Sequence, residues 1–128
     1  MTRDEIDKAS DRELDAMVAV ELFGIKFHEH RGDPKCEVCG INKSYYKIIS
    51  PPVHYSAGWP GLGLVVDEMR RQGWLVAMGT VRGRQGDTWW TEFSKGNIDY
   101  VSNSAGPDNA ANCAKAALYA LLAERESQ

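Results

Sequence analysis

The chain has no long apolar run, no excess of positive charge, too few cysteines for a disulfide framework and none of the familiar catalytic signatures. Its longest apolar stretches, such as LGLVV and WLVAM, fall far short of the roughly 20 residues that cross a bilayer, so no membrane partner is expected. The formal net charge is −3 and the pI about 5.6, so no global positive field draws a polyanion and nucleic acid is not an expected partner. The N-terminus, MTRDEIDKAS, is polar and acidic, unlike a secretory signal. Three cysteines, two of them in one CxxC, suit a metal site or a core in a reducing compartment, and the cytosol is the expected location. Asp67, Glu68 and Glu92 have no spacing that forces them beside a histidine, and no usual catalytic motif is spelled out. A non-catalytic protein is expected.

What is present reads as one domain spanning residues 1–128, since a chain of this length, 43% hydrophobic and 26% charged, can bury a single sizeable core. Thr2 with Glu5 and Ser10 with Glu13 each spell a capping box, predicting a helical turn and then a helix with Leu14, Met17, Val18 and Leu22 on one stripe and Gly24 as its stop. IKFHEH alternates as a strand does and SYYKIIS reads as its partner. After Pro51 and Pro52, Ser56 is placed to cap a helix carrying Leu62, Val65, Val66 and Met69, closed by RRQG. WLVAMGTV, TWWTEFS and NIDYVS follow as three strands, the first two joined by the loop RGRQGD. The last helix, capped by Asp108 or a neighbour, carries Ala110, Cys113, Ala114, Ala117, Leu118 and Leu121 on one stripe. The expected fold is α+β, an antiparallel sheet sandwiched with helices in the order α-β-β-α-β-β-β-α.

From Ser56 onward this order resembles the double-stranded-RNA-binding domain, but that domain needs a lysine cluster at the start of its last helix. Here GPDNAANCAK offers one lysine and an aspartate, so the likeness is one of topology. The segments MTRDEID…DRELDAMVAVELFG, PPVHYSAGWPGLGLVVDEMRRQGW and NCAKAALYALLAE resemble the phage ABA (α–β–α) sandwich domain of small bacteriophage and prophage proteins. The resemblance covers about half the chain and implies an antiparallel sheet layered with helices and a phage origin, hence the cytosol of a host cell. No one activity comes with it.

HEHRGDPKCEVCG, residues 28–40, is not part of that resemblance. Zinc takes four N or S ligands in a tetrahedron, and a CxxC knuckle followed by glycine supplies two thiolates from one turn. His28 and His30, two apart on a strand, project to one face, so His28, His30, Cys36 and Cys39 make a candidate closed structural zinc site, with His54 as a reserve ligand. The alternative is a polar turn with reduced cysteines and solvated histidines. Cys113, on an apolar stripe, reads as core.

Adjacent Trp89 and Trp90 cannot share one face of a strand: Trp89 goes with Thr91 and Phe93, Trp90 with Glu92. Arg82 and Arg84, separated by Gly83, form a fork suited to phosphate or carboxylate. Arg82, Arg84, Trp89 and Trp90 are therefore the candidate ligand-binding residues, stacking for a base and guanidinium for phosphate; the alternative is an ordinary hairpin tip with solubilising arginines. The expected function is a binding protein that sequesters a small anionic, nucleotide-like host signal. The alternative is a zinc-stabilised module that inhibits a host protein through its tryptophans. An outward Trp90 also predicts a homo-oligomer, most simply a dimer.

Overall fold

The structure, a computed structural model, describes residues 1–25, 35–36, 41–42, 53–84, 86–105 and 109–127; of 35–36, 41–42 and 100–105 it describes the backbone alone. Among them are four helices and five strands: α1 (Arg3–Lys8), α2 (Asp11–Glu21), β1 (Lys35–Cys36), β2 (Ile41–Asn42), α3 (Gly58–Arg71), β3 (Leu75–Gly83), β4 (Gly86–Lys95), β5 (Ile98–Ala105) and α4 (Asn109–Glu126). The protein is α+β. Strands β3, β4 and β5 form an antiparallel meander, and β1 pairs with β2 as a separate two-residue ladder.

Both capping boxes form. Thr2 Oγ1 accepts from the Glu5 backbone N–H at 3.2 Å and Ser10 Oγ from that of Glu13 at 3.3 Å, satisfying donors that open each helix. Helix α3 closes in a Schellman turn: Gly73, with φ +97°, donates to Arg70 O and Trp74 donates to Met69 O, both at 3.0 Å. That turn aims the chain from helix into β3 and seats Trp74 in the core.

Helix α4 is the centre of the molecule. It lies on β4 and β5, has α3 beside it, and takes α1 and α2 against its remaining sides. Burial on several sides is why its alanines matter: Ala110, Ala114, Ala116, Ala117 and Ala120 are all buried, and small side chains let several elements approach one helix. The expected stripe is buried throughout, and Asn112, Tyr119 and others are buried as well. Trp74, Phe93, Met69, Val65 and Leu118 fill the space between α4, α3 and the sheet, each such side chain contributing roughly 1.5–3 kcal/mol on burial. Thr91 Oγ1 donates to Asn112 Oδ1 at 2.9 Å in this core, a buried polar tie between β4 and α4.

The described helices pack on one face of the meander. The opposite face carries Leu75, Ala77 and Val81, all exposed. The strands proposed for IKFHEH and SYYKIIS lie almost wholly outside the described residues, as does a cap at Asp108. Two expectations are corrected. The N-cap of helix α3 (Gly58–Arg71) is Ala57, with no side-chain cap, because the Ser56 hydroxyl is turned inward and donates to Asp11 O at 3.4 Å while its N–H donates to Asp15. The loop proposed for RGRQGD is mostly ladder: Arg82 pairs with Asp87 and Gly83 with Gly86.

Candidate functional site

The two ends of the sheet differ in how they are closed. At one end Lys95 Nζ donates to Gln72 O at 3.0 Å and to Glu124 at 2.7 Å and lies over the Trp74 ring, while Arg125 pairs with Glu21 at 2.6 Å. Charged groups there are matched to one another. At the hairpin end Trp59, Arg82, Arg84 and Asp87 are exposed and Trp89 and Trp90 half-buried.

Helix α3 runs antiparallel to β3, so its first turn lies at the hairpin end. It delivers Trp59, 61% exposed, edge-on to Trp89 with ring centroids 5.8 Å apart and planes at 81°, a favoured geometry for an aromatic pair. Strand register puts Thr80 opposite Trp89 and Arg82 opposite Asp87. Positions 80, 82, 87 and 89 therefore share the helix-covered face. Arg84 sits exposed in the turn. Trp90 is on the other face, where its ring lies against Gly79 so closely that a Cβ there would stand 3.0 Å from the indole. Arg82, Arg84, Trp89 and Trp90 thus share an end of the sheet but not one surface. Trp59 is the residue that sequence reasoning missed; its solitary place ahead of Pro60 gave no periodic signal, and only the antiparallel packing of α3 on the sheet brings it to Trp89. Asp87 opposite Arg82 lowers the positive charge of the tip without cancelling it.

A second constellation holds the approach to α3. Asp15 is buried in α2. Its Oδ1 accepts the Ser56 N–H at 2.7 Å and its Oδ2 lies 3.5 Å from Nδ1 of His54. Burial pushes the Asp15 carboxyl above the usual range, against the opposing pull of Ser56 and His54. Phe23 stacks on Tyr55 at 4.8 Å, and Gly61 abuts the carbonyls of His54 and Tyr55. The turn is a clamp between α2 and α3, and it orients an exposed imidazole five positions before Trp59.

The remaining candidates carry less chemistry. His28, His30 and Cys39 lie outside the described residues, and Cys36 is described by its backbone alone, opposite Ile41 in the β1–β2 ladder. Among the described residues no three His, Cys, Asp or Glu side chains converge as metal ligands. The reserve ligand His54 faces Asp15. Cys113 is fully buried and its thiol is pushed up to about 12 by desolvation, so it is a core residue rather than a nucleophile. The acidic recess between α1 and α2, lined by Asp4, Glu5, Lys8, Glu13 and Met17, has its carboxylates engaged in the two capping boxes and the Lys8–Asp4 pair.

Fold and site together define a small α+β domain with an aromatic and basic end. No protein-family model, curated protein or solved structure matches the chain, and no described helix is long and apolar enough to cross a membrane.

Proposed function

We propose that the protein is a non-catalytic binding protein for a small anionic, nucleotide-like molecule, held at the hairpin end of the sheet. In this reading a planar base stacks on Trp59, Trp89 backs that ring, and Arg82 with Arg84 takes the phosphate. The observation that carries the reading is the Trp59–Trp89 pair: an indole 61% exposed is held by a second indole on the face that also bears Arg82. Stacking a base on an aromatic side chain is worth roughly 1–3 kcal/mol and each charge-assisted hydrogen bond roughly 1.5–3 kcal/mol. The reading keeps Arg82, Arg84 and Trp89 from the sequence and exchanges Trp90 for Trp59.

A phage origin, an antiparallel sheet layered with helices and the sequestering of a host defence signal in the host cytosol belong to the same proposal. Their support is the resemblance of the N-terminal, α3 and α4 segments to the phage ABA sandwich domain. The test is a melting-temperature panel of cyclic and linear nucleotides, in which a bound ligand at a hundredfold its Kd adds about 2.7 kcal/mol. If no member raises the melting temperature, the reading is abandoned.

The alternative, a zinc-stabilised module that inhibits a host protein, draws support from the β1–β2 ladder, whose Cys36–Ile41 pairing brackets the CxxC-Gly sequence as a hairpin would. His28, His30, Cys36 and Cys39 would hold the zinc as a closed structural site.

A further inference from the structure

An outward Trp90 was the expected source of exposed apolar surface, but Trp90 is half-buried against Gly79. Among the described residues the exposed large hydrophobics are instead Leu75 at 73%, Val81 at 58%, Leu64 at 45% and Trp59 at 61%, all on β3 or on α3, the helix before it. On the other side of β3 from β4, no described strand pairs with it.

Among the described residues the backbone of that edge is open in a definite pattern. Gly83 and Gly86, the last partners of the ladder with only two residues between them in sequence, form a hydrogen-bonded pair, and bonding alternates from there along an unbroken ladder. Residues 75, 77, 79, 81 and 83 bond β4; residues 76, 78, 80 and 82 direct N–H and C=O to the free side. Edges of native sheets usually carry a lysine, a proline or a bulge that discourages pairing. Leu75–Val81 reads Leu-Val-Ala-Met-Gly-Thr-Val, with none of these.

We propose that β3 is a homodimerisation edge: two copies pair their β3 strands antiparallel about a two-fold axis at Met78, joining two three-stranded sheets into one. The strand is self-complementary in that register. Residues 76, 78 and 80, the ones with open main-chain groups, meet the partner's Thr80, the partner's Met78 and the partner's Val76. On the open face Leu75 meets the partner's Val81 and Ala77 meets the partner's Gly79, twice each by symmetry. The two most exposed apolar residues of the strand are thereby buried against each other in non-hydrogen-bonded pairs, where side chains lie closest. A second copy fits better than an unrelated strand because one seven-residue segment supplies both halves of this pattern, as an isologous contact requires. Arg82 and Gly83 fall beyond the paired stretch, so the contact stands apart from the ligand reading and either can fail alone.

The test uses the full chain. Light scattering at tens of micromolar should give twice the 14.2 kDa chain mass. Leu75→Lys with Val81→Lys should return it to the monomer mass with unchanged far-ultraviolet circular dichroism, since both side chains are exposed. The register has its own test. Leu75→Cys with Val81→Cys places thiols about 4.5 Å apart between Cα atoms, within reach of a disulfide, and mild oxidation should give a covalent dimer. Either single cysteine, about 20 Å from its own symmetry mate, should give no more cross-linking than the wild type. A monomer mass for the wild type overturns the proposal; so does a dimer in which the double variant cross-links no better than the singles.

Discussion

Gly61→Ala and Gly63→Ala, two residues apart on α3, should change stability in opposite directions. A Cβ on Gly61 would stand 2.4 Å from the His54 carbonyl oxygen and 2.7 Å from that of Tyr55. Both are backbone atoms of the turn held by Asp15 and by the Phe23–Tyr55 stack, so neither can swing aside as a side chain would. Relieving the overlap requires α3 to move by most of an ångström from the turn, and overpacking of this kind costs typically 1–3 kcal/mol. At Gly63 nothing lies within 4 Å of the added methyl, and in a helix interior the exchange of glycine for alanine is worth about 0.4–1 kcal/mol in favour of the folded state. Urea denaturation followed by tryptophan fluorescence should therefore show a lower midpoint for Gly61→Ala and a higher one for Gly63→Ala, with similar slopes. A Gly61→Ala protein as stable as the wild type would mean that α3 does not rest on the 54–55 turn, and the placement of Trp59 beside Trp89 would lose its support.

The same turn has an electrostatic test. Because burial raises the folded pKa of Asp15 above its unfolded value, its contribution is most favourable below the unfolded pKa and declines as pH rises through the folded one. Asp15→Asn, which keeps an acceptor for the Ser56 N–H, should be at least as stable as the wild type at pH 7 and lose that advantage on acidification, whereas Asp15→Ala should cost about 1–3 kcal/mol by orphaning that donor; an Asn variant as damaged as the Ala variant would show that the ionised pair with His54 carries the stability. Cys113, with its thiol pushed up to about 12, should resist an aromatic disulfide reagent at pH 8 in folded Cys36→Ser/Cys39→Ser protein and react once denatured; fast labelling of the folded protein would contradict its burial. If His28, His30, Cys36 and Cys39 hold zinc, protein purified without chelator should contain about one metal ion per chain, and Cys36→Ser should lose it; a metal-free wild type, equally stable in chelator, would dismiss the site.

The elements that were legible in the sequence are those with a local cause. Capping boxes at Thr2 and Ser10, the Gly73 stop, the alternation of TWWTEFS and the buried stripe of α4 each depend on residues within a few positions of one another, and each is found where it was expected. What was not legible depends on long-range packing. Ser56 has the chemistry of a cap, but Asp15, 41 positions away, takes its N–H and Asp11 O takes its hydroxyl, which leaves Ala57 at the N-cap. RGRQGD has the composition of a loop, yet the ladder continues to Gly83–Gly86, where Gly86 adopts a φ of +114° that other residues disfavour. Alternation separated Trp89 from Trp90, but only the path of α3 could supply Trp59, and only the Gly79 groove half-buries Trp90.

The central claim is that the ligand lies on the helix-covered face, between Trp59, Trp89 and Arg82, and the most direct measurement is calorimetry of whichever nucleotide raises the melting temperature, with three variants beside the wild type. Trp59→Ala should weaken binding by roughly 5- to 150-fold, the loss of one stacked base, and Arg82→Ala with Arg84→Ala by at least about a hundredfold, while Trp90→Ala should bind as the wild type does. Binding that survives loss of Trp59 and disappears with Trp90 would put the ligand on the opposite face and contradict the account.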